Sequence, residues 1–248
     1  MSRVKELYQD WEHGTDSMPK TPVRLAAIQR KLKQLGIYRE MKVLDFGCGN
    51  ASLSRYIPEC DYHGFDLSHK NVKSANNPKV IQADYENGLP YADDSFDLVM
   101  MIDVIEHCFI TCFALEEALR VTKPNGFLML TTPNLASIYN RVFLMLGTMP
   151  VGPEVSERKN YGTLLPFPGQ PAGHIRVMTT GALQAMSIDC GWNIYDIDSY
   201  GLAVQRHKLG WLYRIIDALL PHSMACNQLL TLLKGGKEYE VQKKASGD

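Results

Sequence analysis

The amino-acid sequence predicts an α/β protein with a doubly wound, mostly parallel sheet between two layers of helices. Short apolar segments alternate with helical or loop segments between residues 41 and 131, as in repeated strand–helix–strand units. Residues 98–102 and 127–130 are continuously apolar rather than alternating. Continuous apolar runs are typical of strands that a parallel sheet buries on both faces.

The predicted elements follow from apolar periodicity and from glycine and proline punctuation. The predicted strands are 42–46, 61–66, 79–83, 96–102, 126–131, 193–199 and 226–233. The predicted helices are one between Pro22 and Gly36, then 110–121, 134–146, 179–190 and 207–220. Residues 123–126 are expected to form the turn that ends the second of these helices.

Four segments describe the predicted domain organisation. Residues 1–40 form an N-terminal helical cap, which either covers a ligand or simply packs on the sheet. Residues 41–234 form the main domain. Within it, residues 147–175 are rich in glycine and proline and predict an insertion, or lid, beside the substrate pocket. Residues 235–248 predict a flexible tail.

A glycine-rich turn follows the first strand and indicates a nucleotide-type binding loop. Asp45 comes at the end of the strand, Gly47 and Gly49 form the turn, and a helix is expected to begin near Ser52. A carboxylate here would repel the pyrophosphate of a dinucleotide. It would instead attract a ligand that joins an adenosine to a cationic amino-acid tail. A second acid, Asp66, ends the second strand, where it can accept both hydroxyls of a ribose.

Charge, apolar runs and cysteine spacing disfavour several classes of function. The net charge of −1 gives no basic field for nucleic acid or an anionic membrane. The polar N-terminus does not read as a signal peptide and no apolar run reaches the length of a membrane span, so we expect a cytoplasmic protein. The six cysteines include no CxxC pair, which favours reduced thiols. We expect no metal site, since His107, Cys108 and Cys112 lack a second cysteine pair.

The order and spacing of six motifs resemble those of the class I S-adenosylmethionine-dependent methyltransferases of the type 11 small-molecule group. The motifs lie at residues 43–52, 62–68, 81–84, 89–97, 103–107 and 120–126. The resemblance implies a Rossmann-like seven-stranded sheet with an antiparallel last strand, and S-adenosylmethionine as cofactor. Ala51 stands where the family often has a third glycine, and we expect it to enter the helix with ordinary backbone angles.

The resemblance also implies a set of cofactor-binding residues. They are Asp45, Gly47, Cys48, Gly49, Asp66, Leu67, Ala83, Asp84, Tyr85 and Asp103. In this set Asp45 would hold the methionine ammonium, Asp66 the ribose and Asp84 the adenine amine, with Glu86 near enough to compete for the last role. Asp103 would line the methionine end, although an acid near a helix start has the same appearance.

Methyl transfer needs a base only when the acceptor must lose a proton. His107 follows the fourth strand and is the first candidate, against the alternative that it caps or packs at the next helix. His174, beyond the insertion, is the second. Arg176 is expected either to bind an anionic group of the substrate or to anchor the loop. Tyr139 and Tyr161 are further candidates for the pocket wall.

The sequence leaves several functions open. The favoured one is methyl transfer to an oxygen or nitrogen of a small-molecule or glycan-type acceptor, with no nucleic acid expected. The alternatives are a non-catalytic binding partner that keeps the fold, and a nucleotide-dependent oxidoreductase. The 207–220 helix could pack on the sheet edge or contact a membrane or a partner, and a homodimer is also possible.

Overall fold

The computed structural model describes residues 22–164, 172–201 and 220–236, and within them seven strands form one sheet. The strands are β1 Lys42–Phe46, β2 Asp61–Asp66, β3 Val80–Gln82, β4 Phe96–Ile102, β5 Thr122–Pro133, β6 Asn193–Tyr200 and β7 Asn227–Leu233. The helices of these regions are α1 Pro22–Gln34, α2 His69–Ser74, α3 Thr111–Val121, α4 Ile138–Met145 and α5 Thr180–Asp189.

The sheet order is β3-β2-β1-β4-β5-β7-β6. The first five strands pair in parallel, whereas β7 runs antiparallel to both β5 and β6. The predicted doubly wound, mostly parallel sheet is therefore confirmed. The chain reverses its winding between β1 and β4, and the carboxyl ends of the strands meet there at one edge, where such folds place their ligands.

Burial on both faces explains the continuous apolar strands. Leu98, Val99, Met100 and Met101 of β4 are all fully buried. Val99 and Met101 pack into one core cluster, and Leu98 and Met100 pack into the other. The clusters join the sheet to α3 and α5 on one face and to α1 on the other. Successive side chains of a strand point to opposite faces, so one strand serves both cores.

Several predicted boundaries are wrong at loops. The predicted turn at 123–126 lies within β5, where Phe96 pairs with Thr122 but Leu98 pairs with Phe127, so the strand bulges. The helix predicted from residue 134 begins at Ile138. Asn134 instead donates its amide to the carbonyl oxygen of Ala225, which holds this stretch against the chain entering β7.

The turn after β1 also differs from the prediction. The expected helix is a single 3-10 turn, Ser52–Arg55, and Ala51 caps it in the left-handed region, with φ 57° and ψ 25°. The expectation of ordinary angles at Ala51 is wrong. Pro58 follows so closely that it disfavours helical angles at the residue before it, which leaves no room for a longer helix.

Some predictions lie outside the described residues. They concern the first part of the cap (1–21), the centre of the insertion (165–171), nearly all of the 207–220 helix (202–219) and the tail from residue 237. In the part of the chain that is described, no helix combines the length and the apolar character needed to cross a bilayer.

The left-handed Ala51 gives a stability prediction. A non-glycine residue in this region costs about 1–2 kcal/mol, which glycine would relieve. Glycine loses about 0.5–1 kcal/mol through chain entropy and about 0.8 kcal/mol of methyl burial. We expect Ala51→Gly to change the free energy of unfolding by less than about 1 kcal/mol in urea denaturation. Ala118→Gly, at a fully buried site inside α3, is the control and should lose about 2 kcal/mol. Equal losses would show that Ala51 carries no strain.

Candidate functional site

A cavity of about 290 Å³ opens at the carboxyl ends of the central strands. Its walls include all ten residues predicted to bind the cofactor. These are Asp45, Gly47, Cys48, Gly49, Asp66, Leu67, Ala83, Asp84, Tyr85 and Asp103. His107 also lines the cavity, whereas His174 is not among its lining residues within the described chain. The structure thus brings one predicted residue set, drawn from four strand ends, around one space.

Asp45 carries a buried carboxylate at the floor of the cavity. Its side chain is almost completely buried, and Tyr62 Oη donates a hydrogen bond of 2.7 Å to Asp45 Oδ2. Burial raises the pKa of Asp45 to about 7; the hydrogen bond from Tyr62 opposes this rise and the nearby Asp66 carboxylate adds to it. Sequence reasoning missed Tyr62. The only feature of the sequence that could have indicated Tyr62 is that a polar aromatic residue stands inside a largely buried strand.

Asp66 fastens the glycine-rich turn from the neighbouring strand. Its Oδ2 accepts the Gly49 N–H at 2.8 Å, and its Oδ1 accepts the Ser68 N–H at 2.8 Å and the Asn71 side-chain amide at 3.4 Å. An ionised carboxylate offers about four acceptor positions, so these three donors leave capacity for a hydroxyl. Asp66 therefore both shapes the turn and faces the cavity.

Gly47 lets the backbone of the turn approach the wall that follows β4. Its φ is +73°, and a Cβ placed there would lie 2.9 Å from Val104 Cγ2. Gly49 also has a positive φ, of +56°, but open space surrounds its Cα. Gly47 is therefore required for both conformation and space, whereas Gly49 is required for conformation alone.

Asp84 follows β3 and contributes both to the cavity wall and to the next turn. It lines the cavity, and its Oδ1 also accepts the Glu86 N–H at 3.1 Å, which caps the short turn Tyr85–Asn87. The Tyr85 ring packs 5.7 Å from the Phe46 ring, measured between centroids. Glu86 lines the same cavity, so both acids predicted to compete at this edge reach it.

Asp103 forms an ion pair with Arg24, a residue that sequence reasoning missed. Arg24 Nη1 donates to Asp103 Oδ2, and Thr131 Oγ1 donates to Asp103 Oδ1 at 2.6 Å. Arg24 belongs to α1 and lines the cavity, while Ile28 of the same helix is fully buried in the core. Helix α1 thus packs on the sheet and also contributes Arg24 to the cavity wall.

The two candidate bases lie next to each other. His107 and His174 have ring centroids 4.9 Å apart. His107 Nδ1 lies 3.1 Å from the Gly173 carbonyl oxygen, and His174 Nδ1 lies 2.9 Å from that of Gly152. Since a carbonyl oxygen can only accept, each Nδ1 carries the proton and donates it.

Glu106 is buried next to His107. Its Oε2 accepts a hydrogen bond of 2.8 Å from Thr132 Oγ1. Burial, reinforced by the Asp103 carboxylate, raises the pKa of Glu106 well above its ordinary value. The sequence analysis gave Glu106 no role. A buried acid directly before a candidate catalytic histidine is the signal that would have found it.

The remaining candidates lie outside the cavity wall. Arg176 donates from Nε to the Phe109 carbonyl oxygen at 3.1 Å, which agrees with its anchoring alternative. Tyr139 and Tyr161 are not among the lining residues in the described parts of the chain. All six cysteines fall within those parts, and none forms a disulfide. Cys108 is buried and Cys112 is exposed.

Residues 44–130 match the family model described as a methyltransferase domain. These residues of the chain form a methyltransferase domain. The match spans β1 to β5 and includes every residue of the cavity wall discussed above except Arg24. The insertion and the last two strands of the sheet lie beyond the matched part of this methyltransferase domain.

Two curated relatives resemble the methyltransferase domain. The tRNA (carboxymethyluridine(34)-5-O)-methyltransferase of Arabidopsis thaliana is 37% identical over 94 residues, which cover 36% of this chain and 23% of the relative. The ubiquinone biosynthesis O-methyltransferase of Sinorhizobium fredii is 30% identical over 130 residues, covering 46% and 52%. The chain thus spans about half or less of the length of these relatives.

A solved structure shows the same fold. A chain in the complex between the Haloferax volcanii Trm112 methyltransferase activator and a methyltransferase matches with a TM-score of 0.64. The sequence identity is 15%, and the match covers 94% of this chain and 98% of that one. The likeness therefore extends beyond the family match to the whole architecture of the methyltransferase domain.

Gly47 gives a direct test of the turn. Gly47→Ala should lower the free energy of unfolding by about 2–4 kcal/mol, because it adds left-handed strain and a clash with Val104. The measurement is thermal or urea unfolding of the cofactor-free protein. Gly181→Ala is the matched control, since a Cβ there meets nothing within 4 Å and helix α5 should gain about 0.5–1 kcal/mol. Similar stabilities for the two variants would contradict the close approach.

Proposed function

We propose that the protein binds S-adenosylmethionine in this cavity and transfers its methyl group to an oxygen of a small-molecule or glycan-type acceptor. The observation that supports this most is the pair of carboxylates, Asp45 and Asp66, that face one cavity across a glycine turn in a methyltransferase domain. A zwitterionic amino acid joined to a ribose and an adenine has the groups that this wall complements.

The wall residues have distinct roles in this proposal. Asp45 holds the ammonium group of the methionine tail, and Arg24 offers a cation to the carboxylate of the same tail. Asp66 accepts one ribose hydroxyl at the acceptor position that its three protein donors leave open, rather than both hydroxyls. Leu67, Ala83 and Tyr85 pack against the adenine, whose exocyclic amine donates to Asp84. The donors and acceptors that line the cavity therefore match this ligand from one end to the other.

Bound S-adenosylmethionine supplies a methyl group that its sulfonium already activates. The protein then contributes mainly alignment, which is worth up to about 7–11 kcal/mol when two reacting groups are held in place. A water-poor pocket adds to this. An acceptor hydroxyl has to lose its proton, and Nε2 of His107 is the nitrogen at the cavity wall that can take it, since Nδ1 carries a proton already. His174 packs against it from the insertion.

The acceptor class follows from charge and from the relatives. The net charge of −1 and the acidic cavity wall disfavour a polyanionic acceptor. The two relatives are named as O-methyltransferases, one of them for a tRNA nucleoside. We therefore propose an oxygen acceptor on a small molecule, with a tRNA pool as the comparison that tests it. The reaction is proposed to take place in the cytoplasm.

A non-catalytic role beside a partner is the second candidate. The matching structure, solved as a complex with a methyltransferase activator, supports the partner in this candidate function. In that case the cavity would bind the cofactor to stabilise the fold, and a stoichiometric partner would co-purify. Binding of a nicotinamide dinucleotide in place of S-adenosylmethionine would instead point to an oxidoreductase.

Cofactor affinity should depend on pH through Asp45. Because the pKa of Asp45 is about 7, most molecules hold it protonated at pH 5.5, and an ammonium group favours the ionised form. We expect the affinity for S-adenosylmethionine to rise roughly tenfold or more from pH 5.5 to 7.5, measured by calorimetry. Asp45→Asn should remove this dependence. Tyr62→Phe should move its midpoint to higher pH, because the lost hydrogen bond had lowered the pKa. A wild-type affinity that does not vary with pH would contradict the ammonium role.

The activity is tested by transfer of a tritiated methyl group to pools of phenols, carboxylic acids, glycans and tRNA. We expect turnover with a small-molecule pool. Asp66→Asn should weaken cofactor binding by about tenfold or more, since a hydrogen bond to a charged group is lost. The control Asp93→Asn, at an exposed acid paired with Arg120, should bind normally. Tight cofactor binding without turnover on any pool would favour the non-catalytic role.

A further inference from the structure

Three side chains that can each coordinate a metal ion lie close together beside the cavity. Glu106, His107 and His174 each offer one ligand atom, and these three atoms all lie within 4.8 Å of one another. Two imidazoles and one carboxylate form a common donor set for divalent transition metals. Two tetrahedral ligands at bond lengths of about 2.0–2.2 Å lie about 3.4 Å apart, so side-chain rotations alone can close the set.

The two imidazoles are oriented as metal ligands usually are. Each Nδ1 donates to a backbone carbonyl oxygen, that of Gly173 for His107 and that of Gly152 for His174. Such outer hydrogen bonds fix the tautomer of a ligating histidine and leave Nε2 as the electron-pair donor. Each Nε2 is then the ring nitrogen that can coordinate a cation beside the Glu106 carboxylate.

Glu106 gives a second, independent indication. Its side chain is 0% exposed, yet Oε1 has no hydrogen-bond partner among the described residues, while Oε2 is bonded to Thr132. A buried polar atom without a partner destabilises the fold and is rare in native proteins, so this oxygen calls for an explanation. A cation at the histidine pair would satisfy this oxygen.

The backbone around the three residues is fixed. The N–H groups of Ile175 and Arg176 donate to the Glu106 carbonyl oxygen at 2.8 and 2.9 Å, which holds the segment after the insertion against the turn that carries His107. The Glu154 carboxylate accepts the N–H groups of Ala172, Gly173 and His174. Both histidines therefore sit on segments that are held before any ligand arrives.

We propose that Glu106, His107 and His174 bind one divalent transition-metal ion, of the zinc and iron(II) class, at the acceptor end of the cavity. This site differs from the expectation of no metal drawn from the sequence. The ion would have open positions next to His107, which lines the cavity. Under the proposed function, the acceptor oxygen would occupy one of them. Its O–H proton would leave to water and its electron pair would stay on oxygen, so the bound metal would replace the base role that His107 Nε2 has in the metal-free protein.

The test uses untagged, full-length protein stripped with a chelator and then titrated with Zn²⁺ or Co²⁺. We expect one equivalent of metal to remain bound after gel filtration, together with a rise in melting temperature and a Co²⁺ absorption spectrum typical of nitrogen and oxygen ligands. His174→Ala and Glu106→Gln should each weaken metal binding by about 100-fold or more. The control His69→Ala removes an exposed ring that bonds Gln82 and should bind metal normally.

Cofactor binding separates this inference from the proposed function. S-adenosylmethionine affinity is measured on the stripped protein and on His174→Ala, whose changed residue lies outside the cavity wall of the described chain. Normal cofactor affinity with no stoichiometric metal would overturn the metal site alone. Metal binding that is equal in wild type and His174→Ala would also overturn it. Stoichiometric metal without cofactor binding would overturn the proposed function and leave the metal site standing.

Discussion

Buried carboxylates at the ends of neighbouring parallel strands are the constraint on which this molecule depends. A parallel sheet brings the ends of β1, β2 and β4 to one edge, and the sequence places acids there. An acid out of water has to be hydrogen-bonded or lose its charge. Asp66 meets this requirement with three N–H donors, and Asp45 with the Tyr62 hydroxyl and a raised pKa. The same bonds that satisfy Asp66 also set the shape of the glycine turn.

A cationic ligand would complete this arrangement. Before binding, Asp45 is close to half-protonated near neutral pH, because its surroundings offer one donor and a second carboxylate. An ammonium group of the ligand would supply the positive charge that would stabilise the ionised form of Asp45. The preference for a cationic ligand would then come from Asp45 and Asp66, two carboxylates at the strand ends whose described hydrogen-bond donors are a hydroxyl and N–H groups rather than cations. The close approach of the backbone at Gly47 leaves space for that ligand.

The sequence predicted the regular parts of the fold closely, for a physical reason. Strands 42–46, 61–66 and 96–102 have the predicted bounds. In the last of these, burial on both faces leaves a continuous apolar run that the sequence displays directly. The bulge in β5 was not predictable in this way, since it depends on pairing with β4. Ala51 was misjudged because intrinsic preference opposes the left-handed region, and the surrounding turn imposes it nonetheless.

In the site, too, features set by the order of the strands could be predicted, whereas features set by contacts between distant residues could not. Residues at strand ends were predictable, since β-strand order alone brings them together. Arg24 and Tyr62 were not, because each acts through a contact distant in sequence, from Arg24 to Asp103 and from Tyr62 to Asp45. The pairing of His107 with His174 likewise depends on how the insertion returns to the turn after β4. No periodicity in the sequence encodes that return path.

The hydrogen bonds of Glu154 allow the insertion to vary in sequence and length. The Glu154 carboxylate accepts hydrogen bonds from the backbone N–H groups of three successive residues, and none of these bonds involves a side chain of that segment. The bonds therefore do not depend on which residues stand there. They also bring the two ends of the chain between Glu154 and these residues close together. That stretch could therefore differ in length or sequence between related proteins while His174, whose own N–H is one of the three donors, keeps its position.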